Sequence, residues 1–358
     1  MHLCNLLKNN LLWLFLLPLL VVSCNPDPPK PDPEPVPDAS AKGLYILNEG
    51  LFQMNNSTLS YYDFINGTMT SNIFLDVNHR GLGDVGNDLQ QYGSKLYIVV
   101  NNSNIVEVVD VNTVQSLKTI NLPQKQPRFV AFLDGKAYIS CFDGDVVRVD
   151  TTTLEIEASV HTGPNPDGIC VCNGKLYVSN SGGLNAPNYG NTVSVIDPAS
   201  FTVTKDITVG INPTRIKAYN DRYVYVVSNG DYVDVPYQFQ KIDAQTDEVV
   251  KSYNLEVYNF DIYQNLAYVY SYNFSTMTSW FKVLDLETDE VVNDSFISDG
   301  TQLQTPYNIK VNPLNGDVYI TDAGTYKANG DVYCFDKNGR KKFSFEAGLC
   351  PSSMVFCY

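Results

Sequence analysis

Histidine is nearly absent: His2, His79 and His161 are the only three in a chain of 358 residues. That scarcity leaves little for a His-based metal centre or catalytic triad. Tryptophan is as rare, with Trp280 the only one beyond the first 23 residues. Cations are few as well. Twenty-four Lys and Arg stand against 39 Asp and Glu, a formal charge of −15. Phosphate backbones demand clustered Lys and Arg, so nucleic acid is excluded as a partner. No apolar run reaches the ~20 residues of a membrane-spanning helix. What is plentiful is tyrosine, 24 in all, within an aromatic content of 12% and an apolar content of 44%. Together with many Asn, Thr and Val this is a β-sheet composition with ample material for a core.

The first 42 residues do not read as folded protein. Lys8 precedes an apolar run, Leu11–Val22, of the length of a signal-peptide core. The run ends Val21-Val22-Ser23-Cys24, which resembles a bacterial lipobox. The resemblance implies cleavage after Ser23 and acylation of Cys24, with lipidation holding the protein on the outer membrane. An ordinary signal peptide with an incidental cysteine is the alternative. Within residues 24–42, positions 25–38 interleave Pro with Asp and Glu, a pattern that favours an extended polyproline II tether rising ~3.1 Å per residue. The folded body is then residues 43–358.

That body repeats. An apolar-Tyr-apolar motif recurs at Tyr45, Tyr97, Tyr138, Tyr177, Tyr225, Tyr268 and Tyr319, at spacings of 52, 41, 39, 48, 43 and 51 residues. Each is followed by an apolar-Asp pair that opens a turn: Asp63, Asp110, Asp150, Asp197, Asp243, Asp285 and Asp336. An Asp there can accept from backbone N–H groups two residues on. Five units are separated by a proline, at Pro127, Pro166, Pro213, Pro306 and Pro351. Each unit reads strand A, a turn such as Asn173-Gly174 or Asn315-Gly316, Tyr-bearing strand B, a variable loop, strand C ending in Asp, a turn and strand D. Four short strands in ~45 residues is the period of a β-propeller blade, with a β-solenoid as the alternative. The first unit starts at strand B, and the chain ends on a spare strand, Met354–Tyr358. The reading is an all-β, seven-bladed β-propeller closed by pairing of the C-terminal strand with blade one.

In a propeller the B–C loops and the D–A connections share one face. The long B–C loops fall in blades one (48–57), four (180–191), five (228–238), six (270–279) and seven (322–330). They bring Asn48, Glu49, Phe52, Asn180, Tyr189, Tyr232, Tyr237, Tyr272, Asp322 and Tyr326 to that face, and the D–A connections add Arg128, Arg215 and Tyr307. Tyr and Asn supply rigid amphipathic area and adaptable hydrogen bonds, the chemistry of binding rather than catalysis.

Segments such as Asn191-Thr192-Val193-Ser194-Val195-Ile196-Asp197 and Ile207–Pro213 resemble the YVTN or YncE-type propeller repeat. More specifically, Gly43–Gln53 and Ser57–Asp63 of blade one, Leu82–Val85 and Ile98–Ser103 of blade two, and Val311–Ala323 of blade seven resemble surface propeller lipoproteins of gut Bacteroidota. These include the BtuG-like proteins, which capture corrinoids on a TonB-dependent transporter. The resemblance implies a cell-surface binding protein for cobalamin or a related corrinoid, a ligand and not a cofactor; the residues themselves offer no catalytic group and no metal-ligand set, a structural calcium being left open. It adds Asn101 and Asn102 of blade two to the expected ligand contacts. The alternative is a propeller enzyme of lactonase or lyase type, or a cell-envelope interaction module. Six cysteines lie beyond Cys24. They depart from the family pattern and read as buried thiols, with a Cys141–Cys170 disulfide left open.

Overall fold

The computed structural model describes residues 41–358. The expected signal peptide, Cys24 and the tether up to residue 40 lie outside them. Seven four-stranded antiparallel sheets form the blades of a β-propeller. The inner strands A are Pro351–Cys357 for blade one, then Gly86–Tyr92, Pro127–Leu133, Pro166–Cys172, Pro213–Tyr219, Asn259–Tyr263 and Pro306–Val311. All five inter-unit prolines thus open an inner strand. A strand's first residue is where the missing N–H costs least.

Seven separate apolar clusters hold the ring together, one at each seam between neighbouring blades. They explain the repeated tyrosine. Side chains alternate across a strand, and strand B is covered on both faces. Tyr97 therefore packs toward blade three with Val106, Ile139 and Val149. Its neighbours Leu96 and Ile98 pack toward blade one with Tyr45, Leu47 and Leu59. The same division recurs in every blade, and all seven tyrosines are buried.

Closure occurs as expected, by a longer strand. Pro351–Cys357 pairs antiparallel with Gly43–Asn48, from Gly43 opposite Cys357 to Asn48 opposite Pro351. Lys42 continues the contact, its N–H donating to the Cys357 carbonyl at 2.7 Å. The last two residues of the expected tether, Ala41 and Lys42, thus pack on the propeller.

Two local expectations change. Blade six has no long B–C loop, because its strands run on as Leu266–Asn273 and Thr278–Asp285 with only residues 274–277 between them. Asn173 and Gly174 close a two-residue turn with φ of 51° and 68°, whereas Asn315-Gly316 lies in a longer connection, 312–317. A short helix, Ile73–Asn78, also follows the abbreviated strand D of blade one and buries Phe74 in the seam to blade two. The six cysteines are all free, so Cys141 and Cys170 do not pair. Burial pushes the thiols of Cys172 and Cys334 up to about 12, which keeps them protonated and unreactive.

The seven turn aspartates behave alike. Asp110 accepts from the N–H groups of Asn112 and Thr113, Asp285 from those of Glu287 and Thr288, and Asp336 from those of Asn338 and Arg340. Backbone donors hold Asp63, Asp110, Asp197, Asp285 and Asp336 below the usual carboxylate range. Lys136 leads the same effect at Asp150, and Arg222 at Asp243. A depressed folded-state value contributes stability above the unfolded value, near 3.8, and loses it as pH falls through the folded one. The melting temperature should therefore decline steadily as pH drops below about 4. A melting profile flat from pH 5 to 2 would show that these turns contribute nothing.

Candidate functional site

All seven inner strands line a central bore of about 410 Å³. Strands A of blades four and five approach closely there. A Cβ on Gly168 would stand 2.3 Å from the Thr214 carbonyl oxygen, so only glycine fits. The bore opens on the loop face into a mouth of about 290 Å³, and Asn87, Arg215 and Ser352 border both spaces.

Five of the residues expected from sequence line the mouth: Glu49, Arg128, Arg215, Tyr232 and Tyr307. Ring closure brings Glu49 against Tyr307, whose hydroxyl donates to Oε2 at 2.5 Å. Burial raises the Glu49 carboxyl above its ordinary value, while the Tyr307 hydroxyl, Arg128 and Arg215 pull it back. Arg128 donates through Nε to Asp167 Oδ1 at 3.0 Å and through Nη1 to Asn87 Oδ1, over the face of the Phe142 ring. Arg215 lies 5.0 Å from the Phe129 ring centre. Asn212 and Thr214 stand on the same wall, the buried Nδ2 of one and Oγ1 of the other having no partner.

Two more expected residues, Tyr237 and Tyr272, border a second depression of about 490 Å³ between blades five and six, together with Tyr232 again and with Phe274. Tyr237 donates to the Tyr272 carbonyl at 3.3 Å. Tyr189 packs edge-on against Tyr232, and Tyr326 against Tyr307. Phe52 stands 65% exposed on the blade-one loop, outside both depressions. Leu184, in the wall of the mouth, and Val233 and Phe274, on the same face, are exposed apolar side chains.

The remaining expected contacts do not reach the mouth. Asn48 and Asn180 are buried at the ends of their strands B and tie strand C. Asn48 Nδ2 donates to Thr58 Oγ1 and Ser60 Oγ at 3.0 and 2.8 Å. Asn180 Nδ2 makes the same pair with Thr192 and Ser194. Asn101 donates to the Pro127 carbonyl, and Asn102 to Asp84. Asp322 is buried and accepts from the N–H groups of Gln304, Thr305 and Gly324. Each was placed on the right face by its position in the blade, but its side chain turns into the scaffold.

Sequence reasoning missed Asn87, Phe142, Asp167, Ser181, Leu184, Asn212, Thr214, Asn229, Tyr258 and Ser352 of the mouth. A usable signal existed. The residue after each inter-blade proline (Arg128, Asp167, Thr214, Tyr307, Ser352) lines the mouth, as does Asn87 after Gly86. Tyr258, just before the proline-free inner strand of blade six, completes the ring, and burial pushes its hydroxyl up to about 12. His79 and His161 line neither the bore nor the mouth. Among the described residues no group of three or more His, Cys, Asp or Glu is placed to hold a metal ion. No described helix is long and apolar enough to cross a membrane.

Comparison with known proteins places this architecture. The chain belongs to the DUF5074 family, a domain of unknown function whose model matches residues 42–357. No curated protein sequence matches it. Among solved structures it is similar to a quinoprotein alcohol dehydrogenase-like protein from Bacteroides thetaiotaomicron, at TM-score 0.64 and 14% identity over 88% of this chain and 78% of that one. It is also similar to Kuenenia stuttgartiensis hydrazine synthase, at TM-score 0.63 and 16% identity over 75% and 88%. The computationally designed Ika8 protein follows at TM-score 0.54 and 13% identity over 76% and 90%. At these identities the likeness is one of fold alone.

Proposed function

We propose that this DUF5074 propeller is a binding protein, anchored through Cys24 to the outer membrane, that captures a broad amphipathic ligand on its loop face. One observation carries the reading: a mouth of charged and hydrogen-bonding side chains drawn from all seven blades, with Leu184 and Tyr232 in its wall and Phe52, Val233 and Phe274 exposed on the same face. Such a surface matches a ligand with a wide apolar rim and polar substituents. Cobalamin or a related corrinoid has that character, and the resemblance to BtuG-like proteins points to it and to a TonB-dependent transporter as recipient. The histidine-free mouth supports capture over acid–base catalysis by histidine.

The test uses full-length protein carrying Cys24→Ala, which should leave the membrane fraction and supply soluble material. Calorimetric titration with cyanocobalamin should give saturable heat. Because contacts are spread over several blades, Tyr232→Ala or Tyr258→Ala alone should cost about 1–2 kcal/mol of binding. The double variant should lose more than ~100-fold in affinity with its melting temperature retained. No heat and no thermal stabilisation at a hundredfold excess of ligand would remove the corrinoid and favour another ligand or an enzymatic role. A Cys24→Ala protein still in the membrane fraction would remove the anchor.

A further inference from the structure

The charges of the channel differ from those of the rest of the protein. The walls of mouth and bore carry Arg128, Arg215, Lys217 and Lys310 against Glu49, Asp88, Asp167 and Asp261. Cations and carboxylates are thus equal in number here, although the whole chain has 24 against 39. Two ion pairs use up half of each. Arg128 meets Asp167 at 3.0 Å, and Lys217 meets Asp261 at 2.5 Å. The two carboxylates left over already have other donors. Glu49 accepts from Tyr307, and Asp88 accepts from the Val130 N–H at 3.1 Å and from Gln90 at 3.0 Å. Burial raises both toward the neutral form.

The two cations left over, Arg215 and Lys310, make no ion pair within 4.0 Å and no side-chain hydrogen bond among the described residues, although Arg215 is near enough to Glu49 and Asp88 to oppose their rise and Lys310 near enough to Asp261 to lower it. Arg215 borders both spaces and so stands at the throat where mouth meets bore, its guanidinium over the Phe129 ring. Lys310 lines the bore. Both act on Lys217, whose ammonium burial holds below its ordinary value and whose basicity Lys310 and Arg215 lower further. Beside Arg215, the buried Asn212 Nδ2 and Thr214 Oγ1 are donors without acceptors. A guanidinium fixed against a ring presents its N–H fork in one plane, the geometry that carboxylate and phosphate oxygens match.

We propose that the throat at Arg215, with Lys310 in the bore behind it, is a binding site for a carboxylate or phosphoryl group. This deepens the binding reading above and rests on it: the captured ligand carries an oxyanion that enters the channel while its apolar body stays on the rim.

Inorganic phosphate and succinate are suitable probes, since neither carries an apolar body for the rim. Each is titrated into the full-length protein at constant ionic strength, with sodium chloride as the reference so that general screening cancels. Saturable heat and thermal stabilisation by at least one probe, with a dissociation constant at or below about 1 mM, is the expected result. Arg215→Gln should weaken it about tenfold or more, and Lys310→Gln should weaken it independently, which guards against a folding defect at either position. Lys205→Gln, on the exposed outer strand of blade four, should leave it unchanged. A response to phosphate alone or succinate alone identifies the group. A response to neither, or one that both channel variants keep in full, overturns the site. Phe274→Ala, on the exposed face outside mouth and bore, separates this proposal from the ligand reading, because it should impair cobalamin binding and leave the small anions unaffected. Failure of cobalamin with phosphate or succinate still bound would overturn only the corrinoid.

Discussion

Removal of Pro351–Tyr358 should abolish the cooperative thermal transition of the whole propeller. Every residue of Pro351–Cys357 is buried. Met354 and Phe356 pack in the seam between blades seven and one, and Val355 and Cys357 in the seam between blades one and two. Losing one terminal strand therefore opens two seams of a closed ring. Four buried side chains at ~1.5–3 kcal/mol each amount to about 6–12 kcal/mol, comparable to the ~5–15 kcal/mol that a domain holds in total. The deletion also bares the edge of Gly43–Asn48, a template for aggregation. Circular dichroism melts and gel filtration would measure this. A truncated protein that stays monomeric and melts within a degree or two of the complete chain would refute the latch. Phe356→Ala gives a graded version, with ~3–5 kcal/mol lost and the fold retained.

Asp322→Ala should destabilise the protein by about 3–5 kcal/mol, the largest effect expected of any single polar substitution discussed above. Its carboxylate receives the N–H of Gln304 at 2.6 Å and those of Thr305 and Gly324 at 2.8 Å. These donors fix the entry to the inner strand of blade seven, which carries Tyr307 into the mouth. Removing the acceptor leaves three backbone donors without their partner, one of them in a fully buried bond. Asp322→Asn keeps one acceptor oxygen and should recover part of the loss. Denaturant unfolding of the three proteins reads the difference. Equal stability of Asp322→Ala and the parent would mean that these bonds are replaced by solvent at no cost.

Asp322 also marks the limit of what the sequence conveys. Its place at the end of a strand B puts it on the loop face, and an acidic residue on a loop face reads as a ligand contact. The direction of its side chain depends on where the connection before Pro306 passes, and nothing near residue 322 encodes that path. Asn48 and Asn180 fail in the same way, although their identical bonds to Thr-x-Ser on strand C give a sequence clue to a scaffold role. The inter-blade prolines were legible as punctuation. Of the residues that follow them, Arg128 and Tyr307 are among the expected contacts, whereas Asp167, Thr214 and Ser352 are not, because their importance lies in a channel that no single blade possesses.

Strand, turn and blade were determined by the sequence itself, because they arise from interactions a few residues apart. Alternation of apolar residues around each tyrosine sets strand B with two covered faces, and the Asp that ends each strand C supplies its own turn. The surplus strand at one end and the missing one at the other sufficed to imply a closed ring. Only the tertiary structure decided the site. Glu49 and Tyr307 are 258 positions apart and meet because the ring closes. Arg215 is left without a close ion pair because neighbouring blades pair Arg128 with Asp167 and Lys217 with Asp261. Which charges find partners depends on distances between blades, and those distances exist only once all seven have assembled around one axis.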